Sequence, residues 1–453
     1  MRNNNTQSKK ILVFLILSLF FISFKSYSQK KTQDKNTDYI SNLIQVFQED
    51  CFKDSFHGFV LYDLDSSKYL FEYNADKYFT PASNVKIASL FAATKILSER
   101  LPSLSYFEKG DSLIFWGTGD PTFLHPVFGN SAVIDFLLLK SKDKKLYFST
   151  TNYKDEPFGD GWAWEDYRTS YGVEKSAFPM YGNSVYFEAD PSCEVVVYPS
   201  IFKDLIKENS AVSTKNFRIE RDLGVNSFEY NIGDLYYKDG KSIPFHATPE
   251  LRTALLKDKL GLEVTHLDYP MPENTAMLYT AKSDEMYKRM MQQSDNFLAE
   301  QTLLMCSAEL FGTLSTQRVI EYLDEKYFSR FYNRPRWVDG SGLSRYNLFT
   351  PRNFVEMLKS IRKDMGEEKL FETLAIGGKA GTLRSRYEFP KNSTPFLYGK
   401  TGTISNNHCL SGFLVTKSGR KFCFSFQNNH HRESAKTVGN KMEEILTTIY
   451  KKY

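Results

Sequence analysis

Ser83 and Lys86 are the first two residues in the sequence whose types and spacing could do covalent chemistry. Residues three positions apart lie on one face of a helix, about one turn from each other. The run that follows, 87–93, is almost entirely apolar and predicts that this helix is buried. Burial lowers the pKa of a lysine, so Lys86 could accept the proton of the Ser83 hydroxyl and activate it. Alone the pair is a weak signal, because Ser-x-x-Lys is often an ordinary helix cap beside a surface lysine.

Two further short segments make the serine–lysine pair specific. Ser294-Asp295-Asn296 lies between two predicted helices, and Lys400-Thr401-Gly402-Thr403 lies beside strand-like sequence. In this order, the three segments match the signature of penicillin-binding proteins and serine β-lactamases. The sequence therefore resembles this superfamily. The resemblance implies its α+β fold, in which an antiparallel sheet is flanked by helices.

The chain between the first two motifs is far longer than the smallest members of this superfamily need. Residues 101–274 differ in texture from their flanks, with many aromatic residues, short alternating runs and turn signals. We therefore expect a large inserted β-rich accessory domain at 101–274. Residues 29–100 and 275–453 would then form one discontinuous catalytic domain.

The elements that position the motifs are predicted from alternation, turn residues and helical periodicity. Strands at 58–63 and 68–73 form a hairpin that leads into the serine helix, and a closing helix at 434–451 packs its apolar stripe on the sheet. Inside the insertion we predict strands at 184–187 and 194–198, a hairpin at 236–243 and a helix that begins at Thr248.

Several segments narrow the resemblance to one family. The chain is similar to the D-alanyl-D-alanine carboxypeptidase/endopeptidases of peptidase family S13, the penicillin-binding protein 4 type (low-molecular-mass class C). The matching segments are the glycine-rich 117–123, the tryptophan stretch 162–166, 176–178 with Asn183, 293–300 and the glycine-rich turn 339–345. We interpret the turn 339–345 as a structural loop that shapes the site without doing chemistry.

This resemblance implies acyl transfer through a covalent serine ester. Ser83 would attack the carbonyl between two D-alanines, with Lys86, flanked by Ser294 and Asn296, as the base. Ser294 would pass a proton to the leaving amine, and Asn296 would hold Lys86 and the substrate amide. The backbone N–H groups of Ser83 and Thr403 would form the oxyanion hole.

The third motif would bind the end of the substrate. Lys400 would supply positive charge near the terminal carboxylate, and the hydroxyls of Thr401 and Thr403 would donate to that carboxylate. Asp295 and Gly402 complete the predicted substrate-binding set. The expected partners are peptidoglycan stem peptides as substrates and β-lactam antibiotics as acylating inhibitors.

Two places near Lys400 depart from a simple motif match. Residues 379–382 form a second Lys-Thr-Gly-like segment, which we reject because no clear strand precedes it, whereas strand-like residues 396–398 precede Lys400. Residues 404–408, which end in a histidine, are more polar than this family usually is after its third motif.

The first 28 residues are predicted to be a secretory signal. A positive start, an apolar stretch at 11–24 and a small-x-small site at 26–28 predict cleavage near Ser28 and a periplasmic protein without a stable membrane anchor. An uncleaved anchor is the alternative. The full chain has a formal net charge of +4, and residues 1–28 contain four basic and no acidic residues, so the mature chain is neutral. A neutral chain gives no electrostatic case for nucleic-acid binding.

The cysteines and histidines predict neither a disulfide framework nor a metal site. The five cysteines are few and widely spread. A turn at 417–420 would place Cys423 opposite about Leu414, so we expect no bond between Cys409 and Cys423. The seven histidines lack HExxH and HxH spacing, so we predict no metal and no other cofactor.

Two other functions remain open from the sequence. A serine β-lactamase would need a group that activates water on the acyl-enzyme, and no acidic residue can be assigned to that task. A non-catalytic wall-binding protein of the same fold would have no reason to keep all three motifs. The sequence does not separate carboxypeptidase activity from endopeptidase activity on cross-links.

Overall fold

The computed structural model describes residues 39, 42–48, 52–189, 195–209, 218–231, 240–391 and 393–453. The predicted signal segment, 1–28, lies outside them. The described strands are β1 (Phe56–Asp63), β2 (Lys68–Tyr73), β3 (Arg100–Lys109), β4 (Ser112–Gly117), β5 (Lys145–Ser149), β6 (Ser184–Ala189), β7 (Val195–Tyr198), β8 (Ile206–Glu208), β9 (Arg218–Arg221), β10 (Phe228–Asn231), β11 (Lys241–Pro244), β12 (Val264–His266), β13 (Ala276–Lys282), β14 (Ala375–Ile376), β15 (Leu397–Ile404), β16 (Asn407–Val415) and β17 (Lys421–Asn429). The described α-helices are α1 (Lys86–Ile96), α2 (Ala132–Lys140), α3 (Pro249–Leu260), α4 (Ser283–Gln292), α5 (Asn296–Phe311), α6 (Thr316–Lys326), α7 (Pro351–Met365), α8 (Glu367–Thr373) and α9 (Ala435–Lys452).

The main sheet joins the two ends of the chain. Its strand order is β14-β15-β16-β17-β1-β2, and neighbouring strands are antiparallel. On one face, helix α9 buries an apolar stripe against strands β15 to β17 and β1. On the other face, α1, α5 and α7 share a second buried cluster with β1 and β17. The α+β fold, the hairpin before the serine helix and the packing of the closing helix are as predicted.

The serine helix is buried because its sequence leaves almost no polar face. A short 3₁₀ turn, Ala82–Val85, leads directly into α1, and every residue from Lys86 to Ala93 is buried. Small residues such as Ala88 and Ala92 let α5 and α7 pack closely on this helix. The sheet and two helices therefore hold the start of α1 from several sides.

Residues 100–282 form three further sheets. The largest has five strands in the order β12-β5-β4-β3-β13 and mixes parallel with antiparallel pairs. Two three-stranded sheets, β11-β6-β7 and β8-β10-β9, lie beside it. A buried cluster rich in phenylalanine, contributed by residues 104–264, forms a core within this segment.

The individual predictions inside this segment have mixed outcomes. Strands β6 and β7 match the predicted strands, and Thr248 caps α3 by accepting a hydrogen bond from Leu251 N at 3.2 Å. The first half of the predicted hairpin at 236–243 lies outside the described residues, and Lys241–Pro244 pairs with β6. No helix in the part of the chain that the structure describes is long and apolar enough to cross a membrane.

The predicted register of Cys423 is wrong by one residue. Cys423 lies opposite Phe413, because the connection is a five-residue loop in which Thr416 N donates to Arg420 O at 2.8 Å. The prediction treated Thr416 as part of the strand. Cys306, Cys409 and Cys423 are free and buried, and Cys51 and Cys193 lie outside the described residues.

Candidate active site

Ser83 lies where three segments approach one another more closely than side chains would permit. The preceding residue, Ala82, has a φ of +49°, which L-residues rarely adopt. A Cβ atom on Gly402 would stand 2.4 Å from Pro81 O, and one on Gly342 would stand 2.0 Å from Ala82 O. Both positions therefore need glycine, because strand β15 and the 339–345 loop each press against the backbone beside Ser83.

Lys86 is buried and hydrogen-bonded to the proposed nucleophile. Its Nζ donates to Ser83 Oγ at 3.0 Å, to Asn296 Oδ1 at 2.6 Å and to Ser341 O at 2.7 Å. Burial lowers the pKa of Lys86 to about 8. Part of the population is then neutral near physiological pH, and the lone pair of a neutral Lys86 can accept the Ser83 proton.

Two buried carboxylates stand behind Lys86. Glu300 accepts hydrogen bonds from Gly340 N at 3.0 Å and Ser341 N at 2.8 Å, so it fixes the backbone that leads into the Ser341 carbonyl, the acceptor of Lys86. Burial first, and then the charge of Asp339, raise the pKa of Glu300 to about 7. The charges of Asp339 and Glu300 in turn raise the pKa of Lys86 and oppose part of the effect of burial.

Asp339 organises the glycine-rich loop. Its carboxylate accepts hydrogen bonds from Gly342 N (2.9 Å), Ser344 N (2.7 Å), Asn347 Nδ2 (2.7 Å) and Trp162 Nε1 (2.9 Å). Trp162 belongs to the predicted insertion, so this bond ties the insertion to the loop that supports Lys86. The sequence predicts no role for Glu300 and none for Asp339 beyond loop structure. The proximity of both carboxylates to Lys86 is a result of the tertiary fold.

Ser294 contacts the second buried lysine. Its φ is +59°, and its Oγ accepts a hydrogen bond from Lys400 Nζ at 2.9 Å, while Lys400 Nζ also donates to Thr401 O at 2.6 Å. Burial, and then the charge of Lys86, lower the pKa of Lys400. The sequence placed Ser294 beside Lys86; the contact that the structure gives it is with Lys400.

Asp295 holds the turn between α4 and α5. One carboxylate oxygen caps α5 by accepting from Leu298 N at 3.2 Å, and the other accepts from Arg289 Nε at 3.1 Å. This geometry fixes its neighbours Ser294 and Asn296. The idea that Asp295 also binds substrate stays a prediction.

The two threonines of the third motif are hydrogen-bonded to neighbouring side chains. Thr401 Oγ1 lies 2.8 Å from Thr382 Oγ1, and Thr403 Oγ1 lies 2.8 Å from His408 Nδ1. Burial lowers the pKa of His408 to about 4, so its ring is neutral at physiological pH. A two-residue strand, β14, does precede Lys379, contrary to the prediction, and the rejected segment supplies Thr382 to the edge of the site.

The family segments in the insertion dock on helix α5. Gln301 Nε2 donates to Gly119 O at 2.8 Å and to Ser176 O at 2.9 Å. Asp120 is buried and accepts from Thr122 N at 2.8 Å. Close to the reacting groups, Asn296 Nδ2 donates to Tyr171 O at 3.3 Å. The insertion therefore contacts the same helix that carries Asn296.

The chemistry available here is that of a serine nucleophile, a buried amine base and a second amine. Among the described residues, no group of three or more His, Cys, Asp or Glu side chains is placed to hold a metal ion. The structure brings together Ser83, Lys86 and Asn296 in one cluster and Ser294 and Lys400 in a second, adjoining cluster.

Comparisons with known proteins identify the family of this chain. Residues 40–449 match a family model described as the D-Ala-D-Ala carboxypeptidase 3 (S13) family. The D-alanyl-D-alanine carboxypeptidase DacB of Haemophilus influenzae is 24% identical over 420 residues, which cover 81% of this chain and 84% of the relative.

Solved structures show the same fold. The crystal structure of penicillin-binding protein 4 (dacB) from H. influenzae has a TM-score of 0.69 at 21% identity and covers 88% of this chain and 97% of that one. The structure of that protein complexed with a novel β-lactam has a TM-score of 0.66 at 20% identity and covers 91% of this chain and 99% of that one. The predicted superfamily fold is thus confirmed, and the chain belongs to the D-Ala-D-Ala carboxypeptidase 3 (S13) family.

Proposed function

We propose that this chain hydrolyses the peptide bond between two D-alanines of peptidoglycan stem peptides through an ester on Ser83. One observation carries the proposal: the buried Lys86 Nζ lies 3.0 Å from Ser83 Oγ and has a pKa of about 8. Membership of the S13 family and the named activity of its relative supply the substrate class.

Acylation would begin with proton transfer from Ser83 to neutral Lys86. Ser83 Oγ forms a bond to the substrate carbonyl carbon, and the carbonyl oxygen becomes an oxyanion. The backbone N–H groups of Ser83 and Thr403 would stabilise that oxyanion, a contribution worth about 3 kcal/mol of barrier for one such donor. Asn296, which already accepts from Lys86 at 2.6 Å, keeps the base in place.

Collapse of this intermediate would release the leaving D-alanine. Ser294 would give its proton to the leaving amine and receive in its place the proton that Lys86 took from Ser83, while Lys400, whose Nζ lies 2.9 Å from Ser294 Oγ, keeps its charge. The charge of Lys400 and the hydroxyls of Thr401 and Thr403 would bind the terminal carboxylate. Water then gives a proton to neutral Lys86 as its oxygen attacks the ester carbon, and that proton passes to Ser83 Oγ when the ester bond breaks. The same steps would cleave a cross-link, in which the leaving amine belongs to a second stem peptide.

The proposal extends to partners and location. A β-lactam presents a reactive carbonyl next to a carboxylate, so it would acylate Ser83, and the relative solved with a β-lactam supports this. Peptidoglycan lies outside the cytoplasm, and residues 1–28 have the features of a secretory signal, so we place the protein in the periplasm.

The domain boundaries are part of the same proposal. We assign residues 29–100 and 275–453 to the catalytic domain and 101–274 to an accessory domain, with strand β13 crossing this boundary to pair with β3 of the accessory sheet. The phenylalanine-rich cluster contributed by residues 104–264 supports this division, because a separate core is what a domain needs.

The test is product analysis. Purified protein is incubated with a pentapeptide muropeptide and with a cross-linked dimer, and products are identified by mass spectrometry. Release of one D-alanine from the pentapeptide by the wild type, and none by Ser83→Ala, is the expected result. Ser98→Ala, an exposed serine just beyond the same helix, is the matched control and should match the wild type. If the wild-type protein forms no product, or if Ser83→Ala forms product, the proposal is contradicted.

A further inference from the structure

A cleft of about 320 Å³ opens directly behind the second motif. Ser294 and Asn296 form part of its wall, so it is continuous with the site. The opposite wall comes from the insertion, through His125, Gly182 and Tyr186. None of the three lies in the segments that carry the resemblance to the family, and none has a part in the steps proposed above.

The insertion side of the cleft presents hydrogen-bond donors. Val127 N donates to His125 Nδ1 at 3.1 Å, so the ring proton is on Nε2. Burial lowers the pKa of His125 to about 4, which keeps this ring neutral. A Cβ atom on Gly182 would lie 3.1 Å from His125 Nε2 and 3.5 Å from Tyr186 Oη, so both groups reach the same part of the cleft.

Tyr186 keeps its own proton at neutral pH. Ser242 lies directly opposite Tyr186 in the β6–β11 register and lines the same cleft. Burial raises the pKa of Tyr186, so the hydroxyl remains protonated at neutral pH. The hydroxyl of Tyr186 can therefore donate to a ligand.

The catalytic side of the cleft carries a balanced ion pair. Arg289 Nε lies 3.1 Å from an oxygen of Asp295, whose other oxygen caps α5. Both carboxylate oxygens of Asp295 are engaged within the protein, and His125, Tyr186 and Arg289, whose side chains carry donors, line the cleft. A neutral, donor-rich cleft fits a ligand rich in acceptors, such as peptide carbonyls and carboxylates.

We propose that this cleft binds the leaving half of a cross-linked stem peptide through its carbonyl and carboxylate oxygens. The inference rests on the proposed function, in which Ser294 protonates the leaving amine. A cleft that begins at Ser294 lies on the path of whatever is attached to that amine. A lone D-alanine is too small to fill it, so the cleft would favour cross-links over simple pentapeptides. Binding energy from such a remote part of the substrate can raise turnover.

The test compares two substrates that share the acyl half and differ in the leaving group. A pentapeptide muropeptide loses D-alanine, and a cross-linked dimer built on the same stem loses a whole stem peptide. The quantity measured is the ratio of kcat/KM for the dimer to kcat/KM for the pentapeptide. Tyr186→Phe removes one donor, and Ser242→Phe fills the cleft from a strand at the edge of the described sheet. Tyr147→Phe, on β5 of the same insertion and away from the cleft, is the matched control.

We expect Tyr186→Phe to lower this ratio about tenfold, as loss of one buried hydrogen bond does, and Ser242→Phe to lower it further. Tyr147→Phe should keep the wild-type ratio. Labelling of each variant by a fluorescent penicillin shows that it is folded. A ratio unchanged in both cleft variants overturns the inference, as does an equal fall for the two substrates, which would place the shared acyl half in the cleft.

The two proposals fail differently. A wild type that releases D-alanine but leaves the dimer intact keeps the carboxypeptidase and overturns the cleft assignment. A wild type that cleaves neither substrate overturns both.

Discussion

Lys86 and Lys400 are both fully buried, yet each is hydrogen-bonded to a different serine. Lys86 Nζ lies 3.0 Å from Ser83 Oγ, and Lys400 Nζ lies 2.9 Å from Ser294 Oγ. The charge of Lys86 lowers the pKa of Lys400. Two ammonium groups in one buried site repel, so the arrangement favours states in which one of them is neutral. A bound substrate carboxylate would favour the charge on Lys400, which leaves Lys86 as the neutral base at Ser83.

The first prediction concerns the pH dependence of acylation. Lys86 must be neutral to accept a proton, and its pKa is about 8, below the ordinary lysine value. The acylation rate constant should therefore rise about tenfold per pH unit well below pH 8 and level off above it. Stopped-flow labelling with a fluorescent penicillin between pH 6 and 9.5 measures this curve. A rate that is flat across this range, or that falls, would contradict Lys86 as the base.

The second prediction separates Lys86 from a neighbouring lysine on the same helix. Lys86→Ala removes the base and three hydrogen bonds, so acylation should fall by about a thousandfold or more. Lys95→Ala is the control, because Lys95 lies on α1 and is paired with Asp364. Its labelling rate should equal that of the wild type. Comparable loss in the two variants would mean that disruption of α1, and not removal of a base, explains the effect.

The third prediction concerns Glu300, which acts on Lys86 through Ser341. Glu300→Gln removes a negative charge that raises the pKa of Lys86, so the midpoint of the pH–acylation curve should move to lower pH. Glutamine also replaces one acceptor with an amide donor opposite a backbone N–H, so the plateau rate should fall about tenfold. Glu309→Gln, near the other end of α5, is the matched control.

The shift of the midpoint is what distinguishes positioning through charge from simple structural support. A lower plateau with an unchanged midpoint would show that Glu300 only holds the 339–345 loop. A midpoint that moves equally in Glu309→Gln would show a long-range effect of net charge.

The sequence predicted which site residues come together where they are close in the chain or belong to motifs in a known order. Ser83 and Lys86 meet because a helical turn brings positions three apart together, and this follows from the chain itself. The apolar run after Lys86 likewise predicted a buried helix, and every residue from Lys86 to Ala93 is buried. Both predictions follow from the regular geometry of a helix.

What the sequence could not predict depends on contacts between segments that are distant in the chain. Glu300 meets Gly340 and Ser341 across 40 and 41 positions, and Trp162 meets Asp339 across 177 positions. Neither contact has a periodic signature, because loop paths are set by tertiary packing. The register of Cys423 failed for a related reason, since the length of one loop decides the pairing of a whole strand.

The last prediction tests Lys400 as the group that binds the terminal carboxylate. Burial and the charge of Lys86 lower its pKa, and an arriving carboxylate would oppose both effects by pairing with the ammonium. Amidating the terminal carboxylate of a pentapeptide should therefore lower kcat/KM of the wild type about 10- to 100-fold, the range expected for a charge-assisted hydrogen bond.

Lys400→Ala should be slow with the free carboxylate and little affected by amidation, because the ammonium group that pairs with the carboxylate is absent. Lys379→Ala is the matched control: this exposed lysine is the first residue of the rejected Lys-Thr-Gly-like segment, and its variant should respond to amidation as the wild type does. The four rate constants of wild type and Lys400→Ala on the two substrates form a cycle whose coupling measures the contact. If amidation slows Lys400→Ala as much as it slows the wild type, Lys400 does not bind the carboxylate, and its bond to Ser294 must account for its place in the site.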